Sequence, residues 1–186
     1  MKVVLSAVAT IIVMICFPLQ GISAEILGDV VITTDTHWTE DHYSLDNLTI
    51  EEGITLSLDG GSTISATGSI RLRQDAVLLL KGKNIEAMVE GAWRGIGCAL
   101  IAPDIDVESG GRISADEQGY LGAAAGETFG SGPGISDYKG YGGCYGAEGD
   151  PKAYGDAMTP REPGSGGNGY YTTTARTGNG GGSIRL

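Results

Sequence analysis

The chain has 186 residues, with 12 Lys and Arg against 23 Asp and Glu, for a net charge of −11. That balance repels phosphates and anionic lipid, which excludes nucleic acid as a partner and argues against an anionic membrane surface. The length suits one domain behind an export signal, and 32 Gly mark a chain rich in turns and close approaches.

Residues 1–24 read as a signal peptide. Lys2 supplies the positive start, Val3 to Leu19 form an apolar run, and Ile22-Ser23-Ala24 places a small residue at the cleavage point. An uncleaved anchor is the alternative; Pro18 and the small-residue exit favour cleavage. This predicts a secreted or cell-surface protein. No later segment is apolar enough to span a bilayer, so no membrane insertion is expected after cleavage.

Residues 25–118 are predicted to be short strands. Val30 and Ile32 open the series. Leu48, Ile50, Ile54 and Leu56 fall at offsets 0, 2, 6 and 8, and Ile70, Leu72, Ala76 and Leu78 repeat those offsets. Ile105, Val107, Gly111 and Ile113 repeat them again, with Gly at one place. An offset of two keeps both side chains on one strand face. Each pair of apolar pairs is separated by a polar corner: Glu51-Glu52-Gly53, Arg73-Gln74-Asp75 and Glu108-Ser109-Gly110. A chain that bends at each corner and keeps one face inward reads as an all-β parallel β-helix, a solenoid of stacked rungs. Ile85, Ala87, Gly91 and Trp93 keep the offsets and suggest an irregular rung; a short helix beginning at Glu86–Val89 is the alternative.

Several polar groups in this region invite chemistry. His37, Glu40, Asp41 and His42 mix imidazole with carboxylate, the donor set of a zinc site. The spacing of the two His places them on opposite faces of a strand, which favours a polar cap over the first rung. Asn47-Leu48-Thr49 matches the short, common N-glycosylation pattern. Arg71, Arg73 and Arg185 point outward, as an anion-binding stripe or as a charged cover that discourages edge pairing. Trp93 is expected to pack, with sugar stacking beside Arg94 as the alternative. Asp104 and Asp106 flank Ile105 on the outer face and are the candidate Ca²⁺ ligands, given a third from a neighbouring rung. Otherwise no cofactor is expected.

Residues 119–182 differ in composition. They hold most of the Gly and the tyrosines Tyr120, Tyr138, Tyr141, Tyr145, Tyr154, Tyr170 and Tyr171, while Ile135 is the only β-branched aliphatic residue. Such a segment lacks the apolar surface for a core of its own. It reads as a long Gly/Tyr-rich insertion whose tyrosines lie on the solenoid face or are available to a partner. Residues 183–186 then return as a strand. Gly182–Leu186 repeats the GSIRL of Gly68–Leu72, which predicts an interrupted rung and an incomplete solenoid.

In an oxidising compartment Cys98 and Cys144 are the candidate disulfide; two separate thiols are the alternative. No catalytic constellation emerges. The nearest approach is Asp75 with Asp104 or Asp106, outward acids on neighbouring rungs that would need a separation of about 5–10 Å for glycoside cleavage.

Gly110–Gly134, with GGRISADEQGYLGAAAG and GSGPG, and the closing GNGGGSIRL of Gly178–Leu186 resemble a module of large secreted bacterial proteins. These are right-handed parallel β-helix proteins of the pectin-lyase-like and filamentous-adhesin kind. The resemblance covers roughly residues 45–186. It implies export and a β-helix; the aspartate cluster and basic residues of the polysaccharide lyases have no counterparts here. The leading expectation is a noncatalytic secreted or cell-surface structural or adhesion-type protein that meets a surface glycan or another protein. The alternative is a carbohydrate-active enzyme, a polysaccharide lyase or glycoside hydrolase, or a fragment of one.

Overall fold

The computed structural model describes residues 25–135, 137–145, 154–156, 161–170 and 174–186. The export signal expected at residues 1–24 lies outside them. Eleven strands are formed, and no helix occurs among the described residues. They are β1 (Glu25–Ile32), β2 (Thr36–Trp38), β3 (His42–Ile50), β4 (Thr55–Leu58), β5 (Thr63–Ala66), β6 (Ser69–Leu72), β7 (Val77–Leu80), β8 (Cys98–Ile101), β9 (Asp104–Val107), β10 (Arg112–Ser114) and β11 (Ile184–Arg185).

Strand formation follows the period-two pattern. In β4 to β7 every second side chain is buried, and the buried set is aliphatic. Parallel registers then bring like residues together. Leu48 pairs with Ile70 and Ile50 with Leu72 between β3 and β6, while Leu56 pairs with Leu78 between β4 and β7. These side chains are fully buried and meet in a single apolar core. Fully burying each contributes about 1.5–3 kcal/mol.

The architecture corrects the expected parallel β-helix. Instead of a coil of equal rungs, the strands gather into two parallel sheets of unequal size. A curled seven-stranded sheet has the order β11-β8-β5-β3-β6-β9, with β1 on the other edge of β3; a four-stranded sheet has the order β10-β7-β4-β2. The larger sheet forks at β3. The first half of β3 pairs with β5, from His42 with Thr63 to Leu45 with Ala66, and its second half pairs with β6. Thr67 and Gly68 separate the two branches, and Ala102-Pro103 separate β8 from β9. Pro103 lacks the N–H that would continue a ladder.

Three further expectations change. The segment from Lys81 to Gly97 forms no rung and no helix, only antiparallel bridges between Lys83 and Ile96 and between Val89 and Ala92. Val107 is exposed, so the third apolar repeat is not inward throughout. The two GSIRL segments do not share a column: Ile70 pairs with Ile105 in one branch, while Ile184 pairs with Cys98 in the other. Five residues of local identity encode a strand but not its branch.

The described residues of the Gly-rich segment are tightly packed. Tyr120, Ala123, Ser165 and Asn168 are buried. Backbone bonds lace it together, from Tyr120 N to Gly164 O at 2.9 Å, Gly164 N to Gly181 O at 2.8 Å and Gly167 N to Gly178 O at 3.0 Å. A Cβ at Gly166 would collide with the Leu121 carbonyl, and one at Gly180 with the Gly164 carbonyl. Backbone-on-backbone approach replaces side-chain packing there.

Candidate functional site

The carboxylates singled out from the sequence do not converge. Asp106 lies opposite Arg71 across β6 and β9, and its Oδ2 accepts from Arg71 Nε at 3.2 Å. Glu108 accepts from Arg73 Nη1 at 2.8 Å. The arginine stripe is thus neutralised at two of its three positions. Asp104 is exposed opposite Ser69. Asp75 is a corner residue at φ 57°, in the place occupied by Gly53 at φ 68° and Gly110 at φ 75° in the adjoining corners. Asp is among the few side chains that tolerate this left-handed conformation. Its N–H donates to Ser109 O at 3.1 Å, so Asp75 stands against the Ser109–Gly110 corner and not beside Asp104 or Asp106. Among the described residues no group of three metal-ligating side chains forms, and Asp106 already balances Arg71.

The His37–His42 cluster is divided between the two sheets. His42 Nε2 faces Ser44 Oγ at 3.1 Å. His37, on β2, lies 2.6 Å from Asp59 Oδ1, and Lys81 Nζ is 3.6 Å from the same oxygen. The His37 hydrogen bond, reinforced by the charges of His37 and Lys81, holds the Asp59 carboxyl below its usual range. Asp41 meets Lys83 at 3.8 Å. Thr39, Asp41, Asp59 and Lys83 border a cleft of about 260 Å³. A general acid needs a raised carboxyl, and Asp59 moves the other way.

Asn47 is engaged on both sides. Its Nδ2 donates to Asp29 Oδ1 at 2.7 Å, and its Oδ1 accepts from Ser69 N at 2.8 Å. Trp93 packs edge-on against the buried Tyr120 at 5.2 Å. The Cys98–Cys144 bridge is not formed. Cys98 Sγ points instead to the carbonyls of Asp59 and Lys81, at 3.3 and 3.5 Å, and burial pushes its thiol up to about 11.

One surface does bring the tyrosines together. Asn168 is buried and serves as its hub. Its N–H donates to Tyr141 O at 2.9 Å, its Nδ2 donates to Tyr138 O at 2.8 Å, and its Oδ1 accepts from Gly130 N at 3.2 Å. Gly169 N donates to Thr128 O, and Gly140 N donates to Gly169 O, both at 2.9 Å. Three loops are thereby fixed to one another. Their aromatic side chains remain outside: Tyr138 is 71 % exposed, Tyr141 62 % and Tyr170 59 %. The Tyr138 and Tyr141 rings are 5.7 Å apart, and Gly140 lies beside the Tyr170 ring, where a Cβ would stand 3.6 Å from Cδ2. Phe129, 53 % exposed, sits on the adjoining loop. Clustered exposed aromatics are uncommon on a monomer surface and mark contact sites.

Sequence reading names these tyrosines but misses Asn168. Its setting, Gly166-Gly167-Asn168-Gly169, is the available signal, because a single amide among glycines has backbone groups within reach in every direction.

The chain matches no protein-family model, and no curated protein or solved structure matches it.

Proposed function

We propose that the chain is a noncatalytic structural or adhesion-type protein that works outside the cell or at its surface and binds glycan through the Tyr138–Tyr141–Tyr170 face. The observation that carries this reading is the aromatic face held by Asn168. Pyranose rings present flat C–H faces that stack on aromatic rings, and phenol hydroxyls hydrogen-bond to the sugar rim. Tyr contributes large contact area with few rotatable bonds, so holding its backbone in place lowers the ordering cost of binding. The acidic surface and the export-like pattern of residues 1–24 suit an extracellular setting.

The test is binding of the full chain to a panel of immobilised neutral and acidic glycans. Tyr138→Ala, Tyr141→Ala and Tyr170→Ala should each weaken binding at least about fivefold, the level expected of a contact hot spot. Equal binding by the triple variant would remove the face from the function. Release of sugar fragments from a bound glycan would overturn the noncatalytic assignment.

A further inference from the structure

A second surface carries charge opposite in sign to most of the chain. Thr63, Ala99 and Arg185 form one row across β5, β8 and β11. Cys98 and Leu100, which flank Ala99, enter the core, so Ala99 faces out. It is nevertheless only 9 % exposed, because it lines a cleft of about 200 Å³. A methyl between a Thr and an Arg leaves a depression in the sheet face. Arg185 from β11 and Arg161 from the Gly-rich segment both line it, together with Ser62, Thr63 and Ser183.

The lining of this cleft is rich in donors. Arg71, Arg73 and Arg94 each meet a carboxylate; Arg161 and Arg185, like Arg112 and Arg176, make no ion pair among the described residues, and Arg161 and Arg185 share the cleft. Ser62 and Ser183 border the same cleft, and among the described residues no protein group pairs with their hydroxyls, which open onto it. In a chain of net charge −11, two guanidinium groups and two hydroxyls thus line one cleft with no carboxylate among its lining residues.

We propose that this cleft binds an oxyanion: the sulfate, phosphate or carboxylate group of a free ion or of an acidic sugar. Guanidinium groups present planar forks of N–H donors that match such groups, and hydroxyls complete the donor set. Size limits the ligand. The cleft falls below the roughly 300–1,000 Å³ of sites for larger organic ligands, yet exceeds by severalfold the roughly 30 Å³ that one water occupies. It accommodates one anionic group with at most one sugar ring. The site does not depend on the aromatic face, and either can fail without the other.

The test titrates the full ¹⁵N-labelled chain with sodium sulfate, sodium phosphate and sodium glucuronate, against sodium chloride at matched ionic strength. Saturable shifts are expected at the Gly97, Ala99 and Arg185 amides with the oxyanions and not with chloride. Arg161→Gln and Arg185→Gln should each weaken binding at least about tenfold, as expected for loss of a charge-assisted hydrogen bond. Ala99→Met should fill the floor and block binding while both arginines remain. Tighter binding of glucuronate would assign the anion to an acidic sugar; tighter binding of sulfate or phosphate would assign it to a free ion or its ester. The same shifts with chloride, or unchanged saturation in the Arg161→Gln, Arg185→Gln double variant, would overturn the site. If Arg185→Gln detaches β11, seen in the Ile184 amide, Arg161→Gln alone decides.

Discussion

His37 Nε2 and Asp59 Oδ1 lie 2.6 Å apart, joining β2 to the residue that follows β4. Lys81, just beyond β7, approaches His37 Nε2 at 3.1 Å and Asp59 Oδ1 at 3.6 Å. A proton on Nε2 that is donated to the carboxylate leaves no lone pair for the ammonium, so Lys81 acts on Asp59. One carboxylate therefore ties together the ends of three neighbouring strands of the smaller sheet, β2, β4 and β7.

This arrangement predicts a specific acid dependence. The Asp59 carboxyl is lower in the folded chain than in the unfolded one, so its stabilisation is complete above the ordinary carboxylate range and fades as pH falls through the folded value. The group is 42 % exposed, which limits the effect to about a few tenths of a kcal/mol. Melting temperature followed from neutral pH down to pH 3 should fall less steeply in Asp59→Asn than in the parent. Parallel curves would show that the pair contributes nothing.

The paired apolar columns predict the largest single losses. Ile70 is wholly buried and lies between Leu48 and Ile105 in register. Ile70→Ala should cost about 2–5 kcal/mol in chemical denaturation, through lost burial and the cavity left behind. A loss below about 1 kcal/mol would mean that the column is not packed as described.

The glycine packing predicts a contrast between near neighbours. Gly180→Ala drives a methyl into the Gly164 carbonyl and should cost about 1–3 kcal/mol. Gly178→Ala has nothing within 4 Å of the new methyl and should be nearly neutral. Denaturation midpoints of the two variants check this; equal midpoints would contradict the close approach.

Cys98 should resist alkylation. With its thiol pushed up to about 11, the thiolate is scarce near pH 8, at about one part in a thousand. Iodoacetamide labelling read by mass spectrometry should leave Cys98 unmodified in the folded chain and modify it fully in denaturant. A Cys98 that is blocked in unreduced, denatured chain, with a Cys98–Cys144 linked peptide in the digest, would instead establish the bridge to Cys144.

The aliphatic columns are legible in the sequence because burial on alternate positions leaves a period that composition cannot hide. Spacing alone aligns Leu48, Ile70 and Ile105. The gathering of strands into two unequal sheets is not legible, since whether a four-residue strand continues its neighbour or begins a new face depends on corners such as Thr67-Gly68 and Ala102-Pro103. The packing of the Gly-rich segment is hidden for a different reason. An apolar core announces itself by side chains, whereas Gly164, Gly166 and Gly180 pack by lacking them. In the candidate sites the tyrosines are visible in the sequence, while Asn168 and Arg161 act through chain segments far from them in sequence. The acids Asp75, Asp104 and Asp106 attract attention by proximity in the repeat, and the corner conformation of Asp75 keeps it apart from the other two.

The pairing pattern also implies an order of assembly. Every strand from β3 to β10 pairs with one that precedes it closely in the chain, so both sheets are able to grow from the N-terminal side as the chain emerges. β11 is the exception, because its partner Cys98 precedes it by the whole Gly-rich segment. That loop is roughly two and a half to five times longer than the others, which adds about 0.8–1.4 kcal/mol to the entropy of closure. Until it closes, β8 offers an open edge that ends in the exposed Ile101, and the growing chain is then most vulnerable to pairing with a neighbouring copy.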